Sequence, residues 1–373
     1  MSRTGRVAIL DKPEGTFTIE EKPLPEIKPG EILVKQESAG VCGTCVHMYH
    51  GRLPGIQYPI ILGHEIVGTI DTLGKGVETD LMGEPLKEGD RVYVLPAMRC
   101  GKCYFCAVLE APNLCTGGGA YGVKPLSDDP LYFTGGYGDY VYLDHPWSKV
   151  LKMNVDPDTA VLLEPFSIGI HALDRVWVKT GSVVVIQGAG AIGLFTLIAA
   201  KETGAFKTIV IGAPASRLEL AKEFGVDVTI NIEEIPDARE RIELVKKETP
   251  GGYGADVVFE CAGVPTAIPE GLDMLRRGGT YGVAGHFTDV GEVSINPFTH
   301  LNNKHITLVG IWGGKLPYFV KGKPILESGK YPFGKMVSHK LPLERLGDVM
   351  DAISTDYRLD GKEVRKVVIA SDL

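Results

Sequence analysis

The 373-residue chain has no run of 18 apolar residues, which excludes a membrane-spanning helix. Its first stretch, MSRTGRVAILDKPEG, lacks the apolar centre of a secretory signal, so a cytoplasmic location is expected. Positive charge is in deficit: 39 Lys and Arg stand against 47 Asp and Glu, a formal net charge of −8. A nucleic-acid partner needs clustered cations and is excluded on that ground, and nothing points to a membrane partner. Repeats and low-complexity segments are absent. An even cysteine count is missing as well. The chain has seven, five of them between Cys45 and Cys115. In a large protein of a reducing compartment this argues against a disulfide framework and for metal or catalytic use.

What is present is a two-part texture. The length exceeds one ordinary core, so two domains are expected. Short β-like runs such as RVAILDKP, EILVKQESAG, IVGTIDTLG and DRVYVLPA fill the first part, separated by Gly and Asp turn signals. Near residue 160 the texture changes. GSVVVIQ, KTIVIGAP and ADVVFECAG are apolar runs of buried-strand length that alternate with helical stretches, the pattern of a parallel sheet covered on both faces. After about residue 315 a mixed β/α texture returns, ending in the strand RKVVIASDL.

Between the strand VVVIQ and the next helix stands Gly188-Ala-Gly190-Ala-Ile192-Gly193. The first glycine allows a tight turn, the second lets backbone approach a pyrophosphate, and the third packs helix on strand. The helix N-terminus adds N–H donors and positive dipole. A dinucleotide is therefore the expected cofactor. The second strand should end in a carboxylate for the adenosine ribose, but Gly212 stands there. Arg217 can reach a 2′-phosphate, yet no basic residue directly follows Gly212. NAD is expected, with NADP open.

RCGKCYFCAVLEAPNLC puts Cys100, Cys103, Cys106 and Cys115 in C-x2-C-x2-C-x8-C, the spacing of a closed tetrahedral zinc site with a structural role. A catalytic zinc needs three protein ligands and an open position. Cys42, His64, Glu65 and Glu164 are the candidates. Cys42 and Cys45 also form a C-x-x-C, but redox motifs of that kind belong at a helix N-terminus of a thioredoxin-like unit, which this segment does not resemble.

GVCGT, GHE-x-x-G, the four-cysteine loop and the strand–GxGxxG–helix, in that order, resemble the zinc-containing alcohol dehydrogenases of the medium-chain dehydrogenase/reductase family. The resemblance runs over essentially the whole chain. CGKCYFC, EPFSIGIHA and the run from Gly212 to Ala221 are more similar to its polyol, threonine and hydroxycamphor dehydrogenase branches than to the ethanol-oxidising ones. It implies an α/β fold: a Rossmann doubly wound parallel sheet at 166–311, and a GroES-like β-barrel catalytic domain at 1–165 to which 312–373 return. It implies two zinc ions per subunit, one catalytic and one structural, and a homodimer or homotetramer. Cys42 and His64 fall at zinc ligands, with Glu65 and Glu164 competing for one further position. Thr44 falls where the alcohol proton is taken, and His47 at the outward relay histidine. Cys45 departs from the family's Asp, which orients the zinc-binding histidine, and a thiol is a poor substitute. Ile311 and Trp312 align with the nicotinamide carboxamide contact and Arg365 with a pyrophosphate contact.

The activity so implied is hydride transfer between a small-molecule alcohol, secondary or cyclic, and NAD(P)⁺. The alternative is an NADPH-preferring aldehyde or ketone reductase. Phe166, Trp312, Tyr49 and the segment 119–140 are expected to line the substrate cleft.

Overall fold

Four consecutive apolar residues and a glutamine, Val183–Gln187, form the central strand of a sheet, and all five are buried. Neighbouring strands Lys207–Gly212 and Ala255–Glu260 are nearly as fully buried, as a sheet covered on both faces requires. The structure, a computed structural model, describes residues 3–126 and 132–373. Contacts divide the chain into two units, one of Met1–Leu163 with Phe333–Leu373 and one of Glu164–Pro332. The family resemblance placed the return at 312. In the structure residues 312–332, which include the helix Leu316–Glu327, cluster with the second unit, and the return begins at Phe333.

The second unit holds a six-stranded sheet ordered Val228–Asn231, Lys207–Gly212, Val183–Gln187, Ala255–Glu260, Leu275–Val283, Thr307–Gly310, every pairing parallel. Numbered along this unit the order is 3-2-1-4-5-6, with a chain reversal between the first and fourth strands. Ligands bind at the carboxyl edge of such a sheet, at that switch point. Val185, Ile209, Ile211, Val258 and Leu272 pack in one cluster beneath it. Burying each such side chain contributes about 1.5–3 kcal/mol.

The first unit is built on a seven-stranded, mostly antiparallel sheet. Its organising strand, Ile32–Val41, pairs with Glu65–Leu73, Tyr140–Leu143 and Lys366–Ile369. The register decides what meets. Gly40 pairs with Glu65 and Val41 with Val367, so Cys42, His64 and Lys366 arrive at one end of three adjacent strands. Among the described residues no helix is long and apolar enough to cross a membrane. Residues 127–131 of the expected cleft segment lie outside the described residues.

Candidate metal centres and nucleotide cradle

Leaving its strand, the chain turns at Cys42 into the short helix Gly43–Tyr49, and Cys42 Sγ caps it by accepting the Cys45 N–H at 3.4 Å. The segment stands at a helix N-terminus, but the helix follows a strand of a mostly antiparallel sheet and not one of a thioredoxin-like unit. Cys42 Sγ lies 3.5 Å from His64 Nε2 and 3.2 Å from Cys45 Sγ, and Cys45 Sγ lies 4.0 Å from His64 Nδ1. One ligand atom from each of Cys42, Cys45 and His64 fits within a 4.8 Å cluster. Two sulfurs and an imidazole, half-buried to buried, are the donor set a zinc ion takes. Burial pushes the Cys42 thiol well up, while the hydrogen bond from Cys42, with His64 beside it, holds Cys45 well down. Cys45 thus stands beside His64 Nδ1, at the position where the resemblance implies an Asp.

Thr44 and His47 sit three residues apart on the same helix, hence on one face of it. Burial holds the His47 imidazole below the usual histidine range. His50 is bound to Glu14 and Ser354, at 2.9 and 2.7 Å, and serves the surface.

Glu65 is wholly buried and forms an ion pair with Lys366, whose side chain is also buried. Sequence reasoning singled out Arg365, for a different role, and passed over its neighbour Lys366. Adjacent residues of a strand face opposite ways. Here Lys366 begins the strand and turns inward, while Arg365 is half-buried and gives its N–H to Ser338 Oγ at 3.0 Å. Lys366→Met is expected to cost about 3–5 kcal/mol in urea unfolding, because it leaves a buried carboxylate unpaired. Glu65→Leu added to it should recover most of that loss. Equal stability of the single and double variants would contradict the pairing. Glu164, the other carboxylate, stands in the first turn of the helix Leu163–Val176, at the start of the second unit.

Cys100, Cys103, Cys106 and Cys115 bring four sulfurs within 4.8 Å of one another. Cys103 N–H donates to Cys100 Sγ at 3.3 Å and Cys100 N–H to Cys115 Sγ at 3.4 Å. Backbone N–H groups of Thr116 and Cys106 hold the Cys103 thiol down, to about 6. Burial pushes the Cys106 thiol up, to about 12, so it is the convergence of the four sulfurs that fits a zinc ion.

In the second unit Gly188 has φ +112° and abuts the Cys261–Ala262 backbone, where a Cβ would stand 2.8 Å away. At Gly193 a Cβ would be 1.9 Å from Gly188 O, so the helix Ala191–Glu202 lies directly on the turn. Space is open at Gly190, the N-cap residue, whose side of the cradle faces no protein atom within 4 Å. Ile192 stands in the first helical turn, its carbonyl taken by Thr196 Oγ1 at 2.7 Å. The helix N-terminus and this open space fit a pyrophosphate. Gly212 has a packing reason: a Cβ there would meet Ala189 N at 2.8 Å, so no carboxylate can stand at that position without moving the cradle. Arg217 lies in the first turn of the helix Ala215–Glu223. Ile311 follows the last strand and is buried, and Trp312 is 55% exposed. Phe166, expected to line a cleft, is instead core, packed on Phe195 with ring centroids 6.0 Å apart.

Two residues that bear on the cradle were missed. His171 Nδ1 bonds Gly313 O at 2.5 Å and so anchors the Trp312 segment. Glu260 is wholly buried at the end of its strand. It accepts N–H groups from Ala262 and Gly263 at 2.7 and 2.6 Å and from Gly285 at 3.1 Å, with His286 Nε2 3.5 Å away. It thereby ties two loops at the carboxyl edge. The signal was an acid closing the apolar run VVF of the strand ADVVFE. A glutamine offers one acceptor oxygen in place of two, so Glu260→Gln is expected to cost about 1–3 kcal/mol. Nucleotide affinity should weaken with it, both read in one thermal-shift titration with NADH. An unchanged melting curve and affinity would contradict the role.

A 3-2-1-4-5-6 parallel sheet with a glycine cradle, on a chain whose other unit carries a cysteine–histidine cluster and a four-thiol loop, defines a zinc-dependent nicotinamide dehydrogenase. Residues 28–154 match the alcohol dehydrogenase GroES-like domain and residues 191–323 the zinc-binding dehydrogenase domain. The chain is similar to the sorbitol dehydrogenase of Bacillus subtilis, 34% identical over 337 residues that cover 89% of each protein. It is similar to the crystal structure of an alcohol dehydrogenase of Thermotoga maritima, with TM-score 0.92, 34% identity and coverage of 99% of this chain and 100% of that one. A zinc-binding dehydrogenase of Sinorhizobium meliloti bound to NADP superimposes with TM-score 0.85 at 27% identity, over 99% of this chain and 100% of that one. The chain belongs to the zinc-containing alcohol dehydrogenases of the medium-chain dehydrogenase/reductase family, in the polyol dehydrogenase branch. It is an oxidoreductase acting on alcohols with zinc and NAD(P).

Proposed function

We propose that the protein oxidises a secondary or cyclic alcohol of the polyol kind, with NAD⁺ as hydride acceptor, as a cytoplasmic homodimer or homotetramer. The Cys42–His64 pair, set beside a helix that carries a hydroxyl and a second imidazole, supports this reading most directly. Cys42 and His64 would hold a zinc ion with one carboxylate, and when bound it supplies a Lewis acid that acidifies an alcohol oxygen and stabilises the charge forming there. Glu65 is engaged by Lys366, which favours Glu164 as that carboxylate. The four-thiol loop would hold the second zinc, with a structural role.

Thr44 Oγ1 takes the alcohol proton and His47 passes it outward. Gly188, Gly190, Ile192 and Gly193 hold the pyrophosphate, helped by Arg365, while backbone at Ile311 and Trp312 orients the carboxamide. The nicotinamide supplies the hydride acceptor. Because burial lowers the His47 pKa, the imidazole stays neutral, and able to accept a proton, to a pH below the usual histidine value. His47→Ala is expected to slow oxidation about 10²-fold and to erase that acid limb from the pH profile. An unchanged profile would remove His47 from the relay.

A second reading has one observation in its favour. Residues 212–217, Gly-Ala-Pro-Ala-Ser-Arg, contain no carboxylate, and Arg217 is the residue to meet a 2′-phosphate, as an NADPH-linked carbonyl reductase would want. Turnover of NAD⁺ with polyols, cyclic alcohols and ethanol, followed by nicotinamide absorbance, tests the first reading. Secondary alcohols should outrun ethanol by about tenfold or more. Ethanol as the best substrate would contradict it.

A further inference from the structure

The cysteine at position 45 gives this metal site a chemistry that the family's Asp could not have. We propose that Cys42 and Cys45 are an oxidant-sensitive pair, and that a hydroperoxide disables the catalytic metal site reversibly by joining them in a disulfide. Three observations carry it. The two sulfurs are 3.2 Å apart, closer than Cys103 and Cys115 of the four-thiol loop at 3.9 Å. They lie three residues apart at a helix start, where side chains stack on one face. Cys42 is half-buried as a residue while Cys45 is fully buried, so Cys42 is the less enclosed of the two and Cys45 is shielded from competing reagents.

The chemistry balances with hydrogen peroxide as the named oxidant. One sulfur takes an oxygen atom from the peroxide to become a sulfenic acid, and the first water leaves. The partner sulfur attacks it, the S–S bond forms, and a second water carries off the remaining oxygen with the thiol proton. Two thiols have given two electrons to one peroxide. The product S–S distance is about 2.05 Å, a short contraction from the present contact. A disulfide sulfur is no thiolate ligand, so Cys42 is lost to the metal and His64 loses its neighbour at Nδ1. A dithiol restores both by exchange.

The inference rests on the reading of Cys42 as a zinc ligand, and the test separates the two. Zinc-loaded protein is treated with hydrogen peroxide, zinc release is followed with a chromophoric chelator, and peptides are mapped by mass with and without reduction. The expected result is loss of one zinc per chain, an internal disulfide in the peptide holding Cys42 and Cys45, and recovery of both after dithiothreitol and zinc. Cys45→Ser should form no such bond and give no dithiol-reversible release. Cys45→Asp, which supplies the family's carboxylate, serves the same purpose should the serine variant fail to fold. Retention of the zinc with Cys42 and Cys45 still reduced would overturn the proposal, as would equal reversible release from wild type and both variants. Only one zinc in the untreated wild type, held by the four-thiol loop, would instead mark failure of the metal-site reading.

Discussion

Cys42→Ser is expected to leave one zinc per chain where the wild type holds two, and to lower alcohol oxidation by about 10³- to 10⁴-fold. The magnitude follows from the several kcal/mol that a Lewis acid contributes to charge stabilisation, at 1.36 kcal/mol per tenfold in rate. Cys42 and His64 meet because Gly40 is paired with Glu65 across adjacent strands, a backbone register that the substitution does not touch. The fold and the four-thiol zinc should therefore survive, and circular dichroism should not change. Zinc analysis and steady-state rates on the same preparation decide the matter. Two zinc ions in an active Cys42→Ser protein would place the catalytic metal elsewhere.

Cys106→Ser should have the opposite profile, with stability lost and chemistry spared. The loop from Cys100 to Cys115 has almost no apolar anchorage. Tyr104, Val108, Leu109 and Leu114 are all exposed, and neither of its short helical turns buries a side chain. With so little hydrophobic burial, metal binding has to supply the ordering free energy, and in small zinc-folded domains that binding reaches about 10–16 kcal/mol. Even a loss of ~4 kcal/mol lowers the melting temperature by about 8–16 °C in a unit of this size. Turnover per folded molecule at low temperature should stay near the wild-type value. A melting temperature within a degree or two of wild type would mean that the four thiols hold no structural metal.

Features carried by local spacing were legible in the sequence. Gly188, Gly190 and Gly193 announce the cradle because each glycine meets a steric demand within six residues, and the four cysteines announce a cluster because they share one loop. The parallel sheet followed from alternating texture, while its strand order, 3-2-1-4-5-6, came only with the structure. Features that depend on register or on distant partners were not legible. Lys366 and Arg365 are adjacent and alike in charge, and only the pairing of Val367 with Val41 shows which one turns toward Glu65. Glu260 gains its role from Gly285, distant in sequence, and its local context offered only an acid where an apolar residue was expected. That Cys45 stands opposite His64 Nδ1 was likewise visible only once its place on the helix was known. Phe166 shows the reverse error. An aromatic beside a ligand candidate reads as pocket lining, but the helix Leu163–Val176 turns it into the core.

Titration of the zinc-loaded protein with NADH and with NADPH, followed by nicotinamide fluorescence, tests the central claim most directly because it needs no knowledge of the substrate. One nucleotide bound per chain is the expected result, with NADH the tighter if Gly212 and its neighbours leave the ribose hydroxyls room. Tighter NADPH would assign Arg217 to the 2′-phosphate and promote the carbonyl reductase reading. Binding of neither nucleotide would contradict the account of this chain as a nicotinamide-dependent dehydrogenase.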